Sequence, residues 1–296
     1  MSTVGDMLYQ MGGVPVSGEL TTGNVFFVDS GSGSNSNTGK KPSTALATLD
    51  YAIGKCTATN GDIIYVMPGH AETTTAIAVD VAGITIIGIG RGRARPTFTA
   101  TTTASDLIDV TVANVCIKNI RLVGAASGNT GLIHLAAAAT DFMCEGCALE
   151  QAATPLIAVR IEQSADRFRF SDCLFLGTAN GPDNGIAFVA GSGDCEDWVV
   201  ERCDFNYGGY GLDLGGILLS KIHKGIRISD CRFIGMDTVA IDINSSAVGL
   251  AENISVLSNN ATVAEMIDAG YVGFIDTKVA YQAISGATIP ATTATA

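Results

Sequence analysis

The chain has 296 residues, of which 47% are hydrophobic, 16% charged and 6% aromatic, with 35 glycines. Its 17 basic and 29 acidic side chains give a formal charge of −12, which repels a phosphate backbone and argues against nucleic acid as a partner. No apolar leader follows Met1 and no run approaches membrane-span length, so neither export nor a membrane is expected, and the eight cysteines are expected as reduced thiols.

Residues 1–23 carry Met7, Leu8, Tyr9, Met11, Val14 and Val16. They are too apolar for a solvated tail and too short to fold alone. They are expected as a docking arm, the alternative being a cover over one end of the fold. In STALATLDYAIGKC, Leu46, Leu49, Ile53 and Cys56 recur at helical spacing and predict a short helix over about 44–56. GDIIYVMPG at 61–69 then reads as a first full strand.

From there the chain repeats itself. FRFSDCLFLG at 168–177 and IRISDCRFIG at 226–235 share six of ten letters. Looser copies are VCIKNIRLVG, FMCEGCALEQ and WVVERCDFNY, with weak ends at GITIIGIGRG and ISVLSNNATV. One column runs Ile89, Ile120, Cys147, Cys173, Cys203, Cys231 and Asn259. A second, three residues earlier, runs Ile86, Ile117, Cys144, Phe170, Val200, Ile228 and Val256. Two residues after the first come Leu122, Leu149, Phe175, Phe205 and Phe233. A straight strand cannot place two consecutive residues outward. A bent one can, which makes corners of Lys118-Asn119, Glu145-Gly146, Ser171-Asp172, Glu201-Arg202 and Ser229-Asp230. Another strand recurs between the copies, aligned on Ile108, Ile133, Ile157, Ile186, Ile217, Ile241 and Ile267.

Two ladders sharing a period near 27 residues describe a solenoid. The expected fold is all-β: a single-stranded right-handed parallel β-helix of about seven rungs with a short N-terminal capping helix. The expected organisation is a docking arm over 1–23, a β-helix domain over 24–270, and a C-terminal strand and flexible tail over 271–296.

The run from Asn24 to Glu72 resembles the opening of right-handed parallel β-helix proteins of the pectate-lyase-like superfamily: an extended strand, a Gly/Ser/Asn-rich loop, a capping helix, then a GD-strand-PG rung. The leader MSTVGDMLYQMGGVPV is similar to those of β-helix proteins encoded among tailed-phage structural genes. That resemblance implies a virion component, made in the host cytoplasm, which trimerises about its long axis. The expectation is a head decoration protein on the outer capsid surface, bound to the major capsid protein. The alternatives are a receptor-binding fibre or spike, and a polysaccharide lyase or hydrolase.

The chemistry in the sequence is sparse. Enzymes of the superfamily use clustered carboxylates with a basic residue, and Asp-Asp, Gly-His-Gly and Arg-Ile-Lys are absent. The chain is therefore expected not to be an enzyme and to hold no cofactor or metal. His70 in PGHAE reads as a turn residue, and the Cys144-Glu-Gly-Cys147 pair falls in core columns rather than suggesting zinc. Asp242 and Asp268 share one register, with Asp109 and His134 in the same column near the other end. That column reads as an exposed acidic face, and mutation of Asp242 and Asp268 is the test of the enzymatic alternative. Trp198 reads as core edge, and Arg91, Arg93 and Arg95 as a solvated loop. Tyr207 and Tyr210, in the glycine-rich segment 205–216, are the candidate contact surface.

Overall fold

The computed structural model describes residues 21–101, 105–125, 130–151, 157–162, 164–177, 184–190, 195–206, 210–213, 225–236, 241–242, 248–252, 255–258, 267–268, 271–275 and 278–281. Backbone alone is described at 184, 189–190, 210–213 and from 235 onward. Met7, Leu8, Tyr9, Met11, Val14, Val16 and Tyr207 lie outside the described residues.

The chain forms a parallel β-helix of three sheets, with ten, nine and eight strands. One turn illustrates the path. Met143–Glu145 lies in the first sheet, Ala148–Gln151 in the second and Ile157–Glu162 in the third, and Arg169–Ser171 then returns to the first sheet beside Met143–Glu145. Every strand pairs in parallel with its equivalents one turn away. The first sheet begins at Val25–Val28, which pairs with Ile63–Val66, and ends at Tyr271–Ile275. Lys278–Tyr281 closes the second sheet.

The first sheet is bounded by two sets of left-handed residues. Asn114, Asp141, Arg167, Asp197 and Gly225 enter it, and Asn119, Gly146, Asp172, Arg202 and Asp230 leave it, all at φ between 50° and 67°. Five residues separate the members of each pair. The exit set is the second member of every predicted polar corner. Corners also bond to one another: Asn119 N–H donates to Glu145 O, Gly146 to Ser171, Asp172 to Glu201 and Arg202 to Ser229, at 2.9–3.1 Å. The bend turns Cys144 and Cys147 both inward, with Glu145 and Gly146 between them.

Inside, residues of like kind stack. Phe98, Leu122, Leu149, Phe175, Phe205, Phe233, Val256 and Val279 form one register column. Phe175, Phe205 and Phe233 stack at 4.4 and 4.8 Å with rings 8° from parallel. Trp198 lies inside rather than at the edge of the core, stacked on Phe168 at 5.4 Å. The corner cysteines each reach two carbonyls: Cys173 Sγ lies 3.5 Å from Cys144 O and 3.3 Å from Ser171 O, and Cys147, Cys203 and Cys231 repeat the pattern. The thiols of Cys147 and Cys173, together with burial, push the Cys144 thiol well above its ordinary range, so this CxxC packs as small buried apolar groups.

Further expectations change. The second column continues from Ile228 to Ala251, not to Val256, which belongs to the second sheet. The third-sheet ladder runs through Val159 and Leu212 in place of Ile157 and Ile217. The capping helix is shorter than 44–56: α1 is Leu49–Ile53, preceded by a 3-10 turn at Pro42–Thr44. Leu46 is extended, trading backbone hydrogen bonds with Phe27 and Asp29, and so cannot begin a helix. His70 does close a turn, its N–H donating to Met67 O at 3.1 Å, but its side chain is in addition a buried clamp. Ser30 N–H donates to its Nδ1 at 2.9 Å, leaving Nε2–H to face Glu72, whose carboxylate also accepts the Leu49 N–H that opens α1.

Asp62 plays the matching part below α1. It is fully buried and accepts from Asn24 N–H, Thr57 N–H and the Asn60 amide at 2.5–2.7 Å. Burial alone would push its carboxyl up, but these hydrogen bonds hold it below the ordinary value. Phe27, Ala45, Ile63 and Tyr65 form a second apolar cluster on the other face of the first sheet, flanked by half-buried Val25, Met67, Ile87 and Ile89. No helix among the described residues is long and apolar enough to cross a membrane.

Candidate functional site

Ion pairs stitch the outside of the rod from turn to turn. Lys118 meets Glu145 at 3.2 Å, while Asp141–Arg167, Asp172–Arg202 and Asp204–Arg232 are bidentate at 2.7–3.0 Å. These exposed pairs follow from parallel register, which brings positions one turn apart side by side. Such pairs are screened by solvent, stabilise little and need no further role.

The outer face of the third sheet is different. One register column there runs Ala78, Asp109, His134, Arg160, Ala187, Asp213, Asp242 and Asp268. Alternation within the strands puts Ile108, Ile133 and Val159 inward and leaves Asp109, His134 and Arg160 on the outside. His134 lies between two carboxylates: Nδ1 is 2.8 Å from Asp109 Oδ1 and Nε2 is 3.3 Å from Glu162 Oε1. The imidazole side chain is 15% exposed, so its orientation is fixed by packing as well as by charge. Glu162 is itself held by the Ala137 N–H at 3.1 Å.

Arg160 reaches two turns back to Asp106, Nη1 to Oδ2 at 2.5 Å, while Thr130 donates to the other Asp106 oxygen. The intervening residue is Gly131. A Cβ there would stand 2.7 Å from Asp106 Oδ1 and 2.9 Å from Arg160 Cδ. Only a glycine leaves the channel through which the arginine crosses its neighbouring strand. Three consecutive turns thus gather Asp106, Asp109, His134, Arg160 and Glu162 on one half-buried patch. Among the described residues no group of three or more His, Cys, Asp or Glu side chains converges as a metal site.

The shared register of Asp242 and Asp268, and of Asp109 with His134, is as expected. Arg160 and Asp213 are additional members. Both were hidden by the alignment on Ile157 and Ile217. Aligning on the apolar-charged-apolar triplets IDV, IHL, VRI and LDL would have exposed them. Tyr210 is not in a loop: it begins the third-sheet strand Tyr210–Asp213, opposite Asn184. The arm residues and Tyr207 lie outside what is described.

No family model and no curated protein matches the sequence. Solved structures do. A rhamnogalacturonan lyase aligns with TM-score 0.50 at 16% identity, over 91% of this chain and 65% of its own. The pectate lyase Pel9A aligns with TM-score 0.59 at 13% identity, over 90% and 80%. ORF18 of Geobacillus virus E2 aligns with TM-score 0.48 at 13% identity, over 80% and 58%. The chain therefore spans less than two thirds of the rhamnogalacturonan lyase. At these identities the likeness to the two lyases establishes the fold alone, a parallel β-helix. It also corrects the expectation that the chain is not an enzyme. Two of the matched structures are lyases, so the absence of three short motifs from this sequence excludes no catalysis.

Proposed function

We propose that the protein is a polysaccharide-recognising β-helix, with the outer face of the third sheet as its binding surface and Asp109, His134, Arg160 and Glu162 at its centre. The observation that carries this reading is the column itself, where ionisable groups from consecutive turns share one half-buried face. A polymer laid along the rod meets a new position about every 4.8 Å. Carboxylates accept from sugar hydroxyls and a guanidinium donates to sugar oxygens, and such charge-assisted bonds are strong where water is thinned out. His134, with a carboxylate at each ring nitrogen, has a fixed orientation and a proton path on both sides. That is the equipment of general acid–base catalysis, so cleavage of the bound polymer is part of the proposal. The test is equilibrium binding to a panel of neutral and acidic polysaccharides, with products followed as reducing ends and as unsaturated sugars. His134→Ala and Arg160→Ala are expected to lose binding while unfolding like the parent. Undiminished binding by both variants would overturn the site.

The setting we propose is a virion, supported by the leader MSTVGDMLYQMGGVPV. The rod then serves as a trimeric fibre, spike or head-decoration subunit, docked on the major capsid protein through Met7, Leu8, Tyr9, Met11, Val14 and Val16. Mass spectrometry of purified particles should find the chain at stoichiometric copy number. Particles without it would refute the virion setting and leave the polysaccharide site standing.

A further inference from the structure

Six arginines of the strands and corners are locked to carboxylates: Arg121 to Glu150, Arg160 to Asp106, Arg167 to Asp141, Arg169 to Glu201, Arg202 to Asp172 and Arg232 to Asp204. Arg91, Arg93 and Arg95 are not. These three guanidiniums fall within five residues of a chain of charge −12, at the bend between the first and second sheets. None has a carboxylate partner among the described residues. Arg91 and Arg93 are exposed and Arg95 is half-exposed.

The loop that carries them is built, not loose. A 3-10 turn, Gly92–Ala94, closes it, with Ala94 N–H bonded to Arg91 O at 3.0 Å. The Asn119 amide from the next turn donates to Gly88 O at 2.7 Å and to Gly90 O at 2.9 Å. Gly69 N–H from the turn before donates to Ala94 O at 2.9 Å. Gly90, at φ 119°, sits where any Cβ would lie 2.3 Å from Ala94 O. The loop is thus pinned on both sides along the rod axis. Its guanidiniums start from a fixed backbone, so less ordering entropy opposes binding.

From this we infer that the Arg91–Arg95 corner is an anion-recognition site for an acidic glycan, taking the carboxylate or sulfate groups that a guanidinium grips with paired N–H donors. The net charge of −12 opposes a polyanion and a second copy of this chain alike, so the corner acts within a Debye length, and self-association is the competing outcome of the test. The corner is distinct from the third-sheet column, so either site can fail alone.

The experiment is titration of the full chain with dextran sulfate, polygalacturonate and uncharged dextran of matched length, at low and physiological salt. Binding to at least one of the charged polymers and none to dextran is expected, and the preferred polymer separates sulfate from carboxylate. The Arg91→Gln/Arg93→Gln/Arg95→Gln variant should weaken that binding roughly tenfold or more and flatten its salt dependence. Its unfolding should be unchanged, and the triple Lys variant should recover part of the affinity. Three results would overturn the inference. They are equal affinity in the Gln variant, equal affinity for single-stranded DNA, which would mark indiscriminate polyanion binding, and loss of self-association in the Gln variant without any change in glycan binding. Loss of charged-polymer binding in His134→Ala with none in the Gln variant would place that binding on the third-sheet face, which separates failure here from failure of that site.

Discussion

The first sheet and the third sheet are wound from the same chain with the same pitch, yet they differ in regularity. Between its two left-handed corners the first sheet has constant length in five consecutive turns, and Val115, Phe142, Phe168, Trp198 and Ile226 follow one another in a single buried position. The third sheet has strands of two to seven residues. Its outer column changes from Ala to Asp to His to Arg along the rod. A repeated wall needs one solution that serves every turn, and an apolar side chain between fixed corners supplies it. A face that meets a ligand gains from differing at each turn. The scaffold is where the repeat is strict, and the candidate site is where it breaks.

The wall can be broken most directly at Phe175, the first ring in the stack that runs to Phe205 and Phe233. Phe175→Ala should cost about 3–5 kcal/mol, read as a lower denaturant midpoint, because it removes stacked surface and leaves a cavity that parallel strands cannot close. Asp62→Ala comes next, at about 1–3 kcal/mol, since it strands buried donors at the N-terminal cap. This loss depends on pH. The folded carboxyl sits below its ordinary value of 3.8, so its stabilisation is complete above that value and fades as pH falls through the folded pKa. Unfolding followed down to acidic pH should show the parent converging toward the variant. Gly131→Ala should cost about 1–3 kcal/mol by pushing a methyl into Asp106 and Arg160, and should weaken polysaccharide binding as Arg160 loses its path. Arg202→Ala, which removes only an exposed pair with Asp172, should change stability by about 0–1 kcal/mol and leave binding untouched.

The same contrast explains what the sequence revealed. The columns through Cys144 and Cys147 were legible because two corners five residues apart fix that segment. The next-to-last turn is shorter, with only 23 residues from Ile228 to its partner Ala251. A 28-residue step therefore overshot by five and landed on Val256 in the second sheet. On the third sheet the lead-in varies, so Ile157 was mistaken for Val159 by two positions, and Arg160 dropped out of the charged column. The His70–Glu72 clamp was illegible for another reason. A buried polar pair gives no periodic signal, and its partners at Ser30 and Leu49 are remote in sequence.

The central claim is that the charged outer column of the third sheet is a polysaccharide site. It is tested most directly by titration calorimetry of the full chain against the polysaccharide that gives the strongest signal in the panel, parent beside His134→Ala. The account predicts saturable binding by the parent and loss of at least tenfold in affinity for the variant at unchanged unfolding midpoint. Equal affinities for the two proteins would contradict it.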